Sequence, residues 1–269
     1  MKDFCRIYLT DFSQLPDLTC RQLLERLPPS RRERIEGMGA AGRAQSVAAA
    51  ALLYEGLLEE DRPEGFTLRQ MPAGELTAPR LALAAARCPL DWTPSSRGKP
   101  FPEGMAVGGE RLYASLSHSG GWAAAVLCSG PVGLDIQTPD PLPGERLARI
   151  AARFHPGEAA ALAVAPEAAR PAAFYRLWAM KESVMKLSGD GFALPLKSFR
   201  VIPRGLGGET ALPDGRKAAI LTMEIEGLVL SIARWRGPAG RSDFALSLLV
   251  NPLGVCYDVI AGRYRRFAF

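Results

Sequence analysis

Residues 174–189, FYRLWAMKESVMKLSG, set the architecture of the second half of the chain because they read as a helix with two distinct faces. Leu177, Met180, Val184 and Leu187 recur at i, i+3, i+7 and i+10, one apolar stripe. Trp178, Glu182 and Lys186 are spaced four apart and share a second face, about half a turn from the first. If that face is simply solvated, Glu182 and Lys186 form an i,i+4 ion pair worth about 0.3–0.5 kcal/mol. On this stretch alone, a surface ion pair and a chemical role stand level.

Upstream, GLDIQ (133–137) sets Asp135 inside an apolar strand whose flanking Leu134 and Ile136 point to the opposite face. A carboxylate in that setting needs a partner. One solution is a divalent cation with Glu182 as a second oxygen ligand, since Mg²⁺ commonly takes one or two carboxylates and fills its shell with water and phosphate oxygens. The other is an aspartate that caps a turn or pairs with an arginine. SLSHSGGW (115–122) surrounds His118, one of two histidines, with hydroxyls and glycines. Small residues there let backbone amides approach an anion, and Ser117 and His118 can donate to phosphate oxygens. A nucleophilic serine is a weaker reading, because GxSxG is absent. In SRGKPF (96–101), Lys99 sits in a Gly-Pro turn, either as a point charge for phosphate or in solvent. The Walker A pattern GxxxxGK[ST] does not occur.

The 269 residues are 48% hydrophobic, enough to bury a core and comfortable for two domains. A formal charge of +5, spread through the chain, favours an acidic ligand or protein over nucleic acid. VAAAALLY (47–54) is broken by Glu55, and no apolar run approaches the roughly 18 residues of a membrane span. MKDFCRIYLTDF carries acidic residues and lacks the long apolar core of a secretory signal. Five cysteines without a CxxC pair suit reduced thiols in a cytoplasm.

CRIYLTDF reads as a strand, and PPSRRERIEGMGAAGRAQSVAAAALLYEGLL as a helix, a glycine-containing break and a longer helix. Residues 60–112 read as surface loops with one short helix near RLALAAARC. RLYASLSHS, GWAAAVLCSG and PVGLDIQ follow as three adjacent short strands. A helical stretch from about Pro166 to Leu187 comes next, then turn-linked strands over 205–235 and at SDFALSLLV (242–250). Strand, helices, strands thus occur twice. The expectation is an α+β fold of two pseudo-duplicated halves, each a small, mostly antiparallel sheet on a long helix. Their bounds are 1–129 and 130–252, with 253–269, ending in GRYRRFAF, as a loose basic tail.

Taken together, RGKPF, SLSHSGGW, VGLDIQ, RFHPGEAAAL and FYRLWAMKESVMKLSGDGFALPL resemble, in order and spacing, the 4′-phosphopantetheinyl transferase superfamily of the surfactin-synthetase-activating (Sfp) type. The pairing of WxxKESxxK with GxD is the specific part, and LPPSRRERIEGM is similar to the family's N-terminal basic helix. The resemblance implies transfer of the phosphopantetheine arm of coenzyme A to a serine of an acyl or peptidyl carrier protein, with release of adenosine 3′,5′-bisphosphate. It implies coenzyme A in a cleft between two α+β halves, built by a monomer with pseudo-twofold symmetry, and neither membrane nor nucleic acid as partner. Asp135 and Glu182 would hold Mg²⁺ on the diphosphate, with Lys186 beside the same phosphates. Glu182, or a water on the metal, would take the serine proton. Glu158 is a further carboxylate candidate, unless it only opens the helix GEAAALAVA. Ser117, His118, Lys99 and Pro100 would serve the coenzyme A phosphates. Arg31 and Arg34 would serve the 3′-phosphate region or face an acidic carrier, and Arg43 acts without the basic neighbour that Gln45 replaces. Lys181 has a supporting role, and Trp178 packs under the site. Gln137 stands where many relatives carry another carboxylate, and could reach the metal through its carbonyl oxygen. A non-catalytic module that binds coenzyme A or a carrier, and a serine hydrolase built on SHSGG, are the competing readings.

Overall fold

The computed structural model describes residues 3–13, 15–59, 65–92, 99–101 and 103–237, and the backbone of 256–260 and 263–267. The chain divides into two compact units, Met1–Val132 with Leu253–Phe269, and Gly133–Pro252. In the first, β1 (Phe4–Asp11) is followed by helices α1 (Asp17–Arg26), α2 (Pro29–Glu36) and α3 (Ala40–Leu58). Pro29 suits the first turn of α2 because its fixed φ is already helical and its missing N–H has no helical partner to lose. β2 (Gly65–Gln70), α4 (Ala78–Arg87), β3 (Met105–Val107), β4 (Glu110–Ser119) and β5 (Trp122–Cys128) complete the run. Alanine and leucine make α3 a strong helix former, and its residues from Ser46 to Leu57 are buried.

The second unit holds β6 (Val132–Gln137), α5 (Gly144–Ala151), α6 (Pro156–Val164), α7 (Arg170–Ser188), β7 (Ile202–Arg204), β8 (Gly207–Ala211), β9 (Lys217–Ile225) and β10 (Leu228–Trp235). Its five strands run in the order β6-β10-β9-β8-β7. The stripe of Leu177, Met180, Val184 and Leu187 is buried as its periodicity requires, in a core with Phe154, Phe174 and Ile220. Pro171 lies in the first turn of α7, and residues 166–169, expected as helix, form a turn before it. Gly189, at φ 77°, ends the helix with its N–H on the Met185 carbonyl, a left-handed cap that glycine adopts without a Cβ clash.

β11 (Cys256–Ile260) and β12 (Arg263–Phe267) form an antiparallel hairpin, and Asp258 of β11 pairs in parallel with Leu68 of β2. The first sheet therefore runs β12-β11-β2-β1-β5-β4-β3, with β1 parallel to β2 and antiparallel to β5. Both units are thus α+β, each with a sheet and a 19-residue helix.

Three expectations change. Within the stretch expected as a loose tail, residues 256–260 and 263–267 are strands that extend a sheet. The region 60–112 contains strands β2 and β3, whose short sequences GFTLRQ and MAV become strands through their ladders with β1 and β4. β6 does not join β4 and β5 but lies beside β10 in the second sheet. The strand expected at 242–250, and residues 96–98 of the Lys99 turn, lie outside the described residues. Among the described residues, no helix is long and apolar enough to cross a membrane.

Candidate active site

The site begins with a glycine. A Cβ on Gly133 would lie 2.0 Å from the Ser183 carbonyl oxygen and 2.4 Å from the Leu187 backbone nitrogen. No side chain fits, so glycine alone lets the β6 backbone rest on the α7 backbone there. Asp135, two residues on and therefore on the same face of the strand, is carried against α7. It is 3% exposed, and Lys186 Nζ donates to its Oδ1 at 2.7 Å. Gln137, next on that face, donates Nε2 to Asp135 Oδ2 at 2.7 Å. The ion pair that Lys186 makes is accordingly a long-range one, to the strand aspartate. Gln137 enters as a hydrogen-bond donor, and would have to turn its amide over to offer a metal its oxygen.

Glu182 Oε1 is enclosed and has no hydrogen-bond partner. Burial, then the charge of Asp135, push the Glu182 carboxyl up to about 7, while Lys186 pulls the other way. An enclosed oxygen without a donor, next to a second carboxylate, leaves local negative charge that one ammonium does not offset. Among the described residues no three of His, Cys, Asp or Glu cluster in a metal-binding group. Two carboxylates are nevertheless enough for Mg²⁺, a hard cation that keeps most of its shell as water and phosphate oxygen. Asp135 and Glu182 therefore fit such an ion and could hold it.

Glu158 sits differently. α6 opens with Gly157 N–H donating to His155 Nδ1 at 3.2 Å and His155 N–H donating to Glu158 Oε2 at 3.0 Å, a reciprocal cap. Glu158 also accepts Val201 N–H on Oε1 at 2.7 Å and Lys181 Nζ on Oε2 at 2.7 Å. Lys181 is fully buried, donates to the Phe199 carbonyl at 2.8 Å and lies 4.0 Å from the Phe199 ring centre. Burial pushes its ammonium pKa down, against the pull of Glu158. Both Glu158 oxygens are thus engaged by the protein's own donors, and the residue lines a cavity of about 230 Å³ with Leu162, Leu177 and Met180. Trp178 packs on Phe154 and Phe174 at 5.9 Å between ring centres.

Lys99, Pro100, Ser117, His118, Arg31, Arg34 and Arg43 belong to the first unit. Arg31 on α2 lies 4.6 Å over the Trp92 ring, and its buried Nε has no hydrogen-bond partner. Burial, with Arg34 nearby, pushes its pKa down to about 10. Trp92 donates to the Tyr54 hydroxyl at 3.1 Å and meets Phe101 edge-on at 4.8 Å. Two residues before Phe101, burial pushes Lys99 down to about 8. Desolvated cations of this kind gain from an anion that restores their charge interactions. Ser117 is buried and His118 exposed on successive positions of β4, so their side chains leave by opposite faces. Arg34 and Arg43 are exposed, and Gln45 Nε2 reaches the Gly120 carbonyl at 3.2 Å. Gly133 and Trp92 escaped the sequence reading. A glycine two places before a strand aspartate is a usable signal for the first, but nothing local marks the second.

Two carboxylates and a lysine presented from one strand and one helix are groups that a metal-assisted phosphoryl-transfer site could use. Residues 131–233 match the family model of the 4′-phosphopantetheinyl transferase superfamily. The chain is similar to a 4′-phosphopantetheinyl transferase of Bacillus subtilis, 34% identical over 125 residues, or 46% of this chain and 53% of that protein. It is also similar to 4′-phosphopantetheinyl transferase Sfp of Bacillus subtilis (strain 168), 38% identical over 89 residues, or 33% of this chain and 38% of that protein. With 4′-phosphopantetheinyl transferase gsp of Aneurinibacillus migulanus it shares 30% identity over 107 residues, or 38% of this chain and 39% of that protein. Over residues 131–233 the chain is thus similar to the 4′-phosphopantetheinyl transferase superfamily, and one of the relatives it matches carries the name Sfp. Its matches span about half or less of these curated relatives.

Proposed function

We propose that the protein transfers the 4′-phosphopantetheine arm of coenzyme A to a serine of an apo acyl or peptidyl carrier protein, with Mg²⁺, and releases adenosine 3′,5′-bisphosphate. The observation that carries this reading is the meeting of Asp135, Glu182 and Lys186, with Glu182 Oε1 enclosed and lacking a donor. The superfamily match over the segment that holds all three supports it.

In the proposed reaction the serine Oγ bonds to the phosphorus that bears the pantetheine, and the bridging P–O bond of the diphosphate breaks. Mg²⁺, held by Asp135 and Glu182, would neutralise the diphosphate and stabilise charge developing on the leaving oxygen. Lys186, whose Nζ is already in the site, exchanges Asp135 for a phosphate oxygen. Glu182, or a water on the metal, accepts the serine proton. Glu158 is left out of the chemistry because its oxygens hold Val201, His155 and Lys181 in place. Arg31 and Lys99, both short of solvation, serve the coenzyme A phosphates with Ser117 or His118, and Arg34 and Arg43 add positive charge around them. We place the reaction in the cytoplasm, carried out by a monomer.

The test is direct. Purified protein is incubated with coenzyme A, Mg²⁺ and apo carriers from fatty-acid, polyketide and nonribosomal-peptide pathways, and each carrier is weighed by mass spectrometry. A gain of one phosphopantetheine arm is expected on at least one. No gain on any carrier, with coenzyme A still bound, would leave a binding module instead.

A further inference from the structure

We infer that the buried Lys181–Glu158 pair is a positioning device that sets the rotation of α7, and thereby aims Glu182 and Lys186 at Asp135. The inference rests on the proposed role of those three residues.

Neighbouring residues on a helix point about 100° apart, so Lys181 and Ser183 flank Glu182 on either side of the axis. Both are fully buried. Lys181 Nζ is held at 2.7 Å by Glu158 Oε2 and at 2.8 Å by the Phe199 carbonyl. Glu158 is itself fixed by the Val201 and His155 N–H groups, so α6, α7 and the 199–201 segment share one polar knot. On the other side, Ser183 Oγ lies 3.3 Å from Ser231 Oγ of β10, which lies 3.0 Å from Thr222 Oγ1 of β9. The Ser183 carbonyl is also the atom on which Gly133 rests. Turning α7 about its axis would break contacts on both sides of Glu182 together.

An apolar residue at 181 would fill the same space, and a buried ion pair typically adds little net stability over one. What the pair supplies is direction, because hydrogen bonds specify an orientation that apolar packing leaves looser. A carboxylate and an ammonium that must meet a strand residue need that orientation, and the knot provides it one residue away.

The experiment compares wild type, Glu158→Gln and the neutral double variant Lys181→Met/Glu158→Gln. Binding of Mn²⁺, which can stand in for Mg²⁺, is read by electron paramagnetic resonance without turnover, and urea unfolding is followed in parallel. We expect a cooperative unfolding transition in the double variant, with Mn²⁺ affinity lower by about tenfold or more, as for lost supporting contacts at metal sites. The half-saturating Mg²⁺ for transfer should rise in step, with a smaller shift of the same sign in Glu158→Gln. A lower urea midpoint with unchanged Mn²⁺ affinity would mean a purely structural pair and overturns the inference. If the double variant does not fold, unchanged affinity in Glu158→Gln overturns it by the same criterion. Failure of wild type to bind Mn²⁺ at all overturns the metal reading itself, and the aiming role with it.

Discussion

Glu182 carries opposing demands. Its carboxyl has a folded pKa of about 7 against an ordinary 4.5, so between those values the folded protein holds a proton that the unfolded chain releases. The stabilisation from that proton is full below about 4.5 and is lost as pH rises through about 7. In chelator, the urea midpoint of wild type should therefore fall between about pH 5 and 7 more steeply than that of Glu182→Gln. Added Mg²⁺ should restore wild type alone, and transfer by the variant should drop by about 100-fold or more. Equal pH slopes in the two proteins would contradict the enclosed position of Glu182. Gln137 invites the converse change. Gln137→Glu places a carboxylate where an amide now donates to Asp135, and should lower the half-saturating Mg²⁺ by about tenfold. Titration of activity with Mg²⁺ checks it, and an unchanged midpoint would separate position 137 from the metal. Asp135 was legible because a carboxylate among apolar neighbours demands a partner, and Glu182 because it shares a helix face with Lys186. The engagement of Glu158 was not, since its partners Lys181 and Val201 are 23 and 43 residues away.

At the scale of elements, the contact between β6 and α7 is the critical one. Gly133→Ala would put a methyl 2.0 Å from a carbonyl oxygen and 2.4 Å from a backbone nitrogen, atoms with no rotamer to escape into. The strand must move off the helix, at a cost of about 1–3 kcal/mol or more. Urea unfolding should show that loss, and transfer should fall further than stability does, because Asp135 moves with the strand. An alanine variant of wild-type stability would exclude the close approach. α3 and α7 were readable from composition and from a 3.6-residue period, which are local properties. β2 and the hairpin of β11 and β12 were not. GFTLRQ carries no strong alternation, and the closing segment looks like a basic tail until the sheet edge beside β2 is known.

For the molecule as a whole, the +5 charge is a statement about encounter with an anionic partner. The kcat/KM for an acidic carrier should fall several-fold as NaCl rises from about 0.05 to about 0.5 M, while kcat changes little, because salt screens steering more than buried contacts. A rate indifferent to salt would argue that the scattered basic residues have no part in partner capture. By itself the sequence determined the two-faced helix, the aspartate in an apolar strand and the α+β class, which follow from side-chain spacing, the cost of burying charge and the order of elements, while its ordered motifs carried the superfamily resemblance. Only the tertiary structure decided that Lys186 meets Asp135 across 51 residues, that Glu158 is absorbed by Lys181, and that Arg31 lies over Trp92. Those pairings are set by how closely backbones approach and which faces are buried, as at Gly133, and a one-dimensional pattern does not contain them.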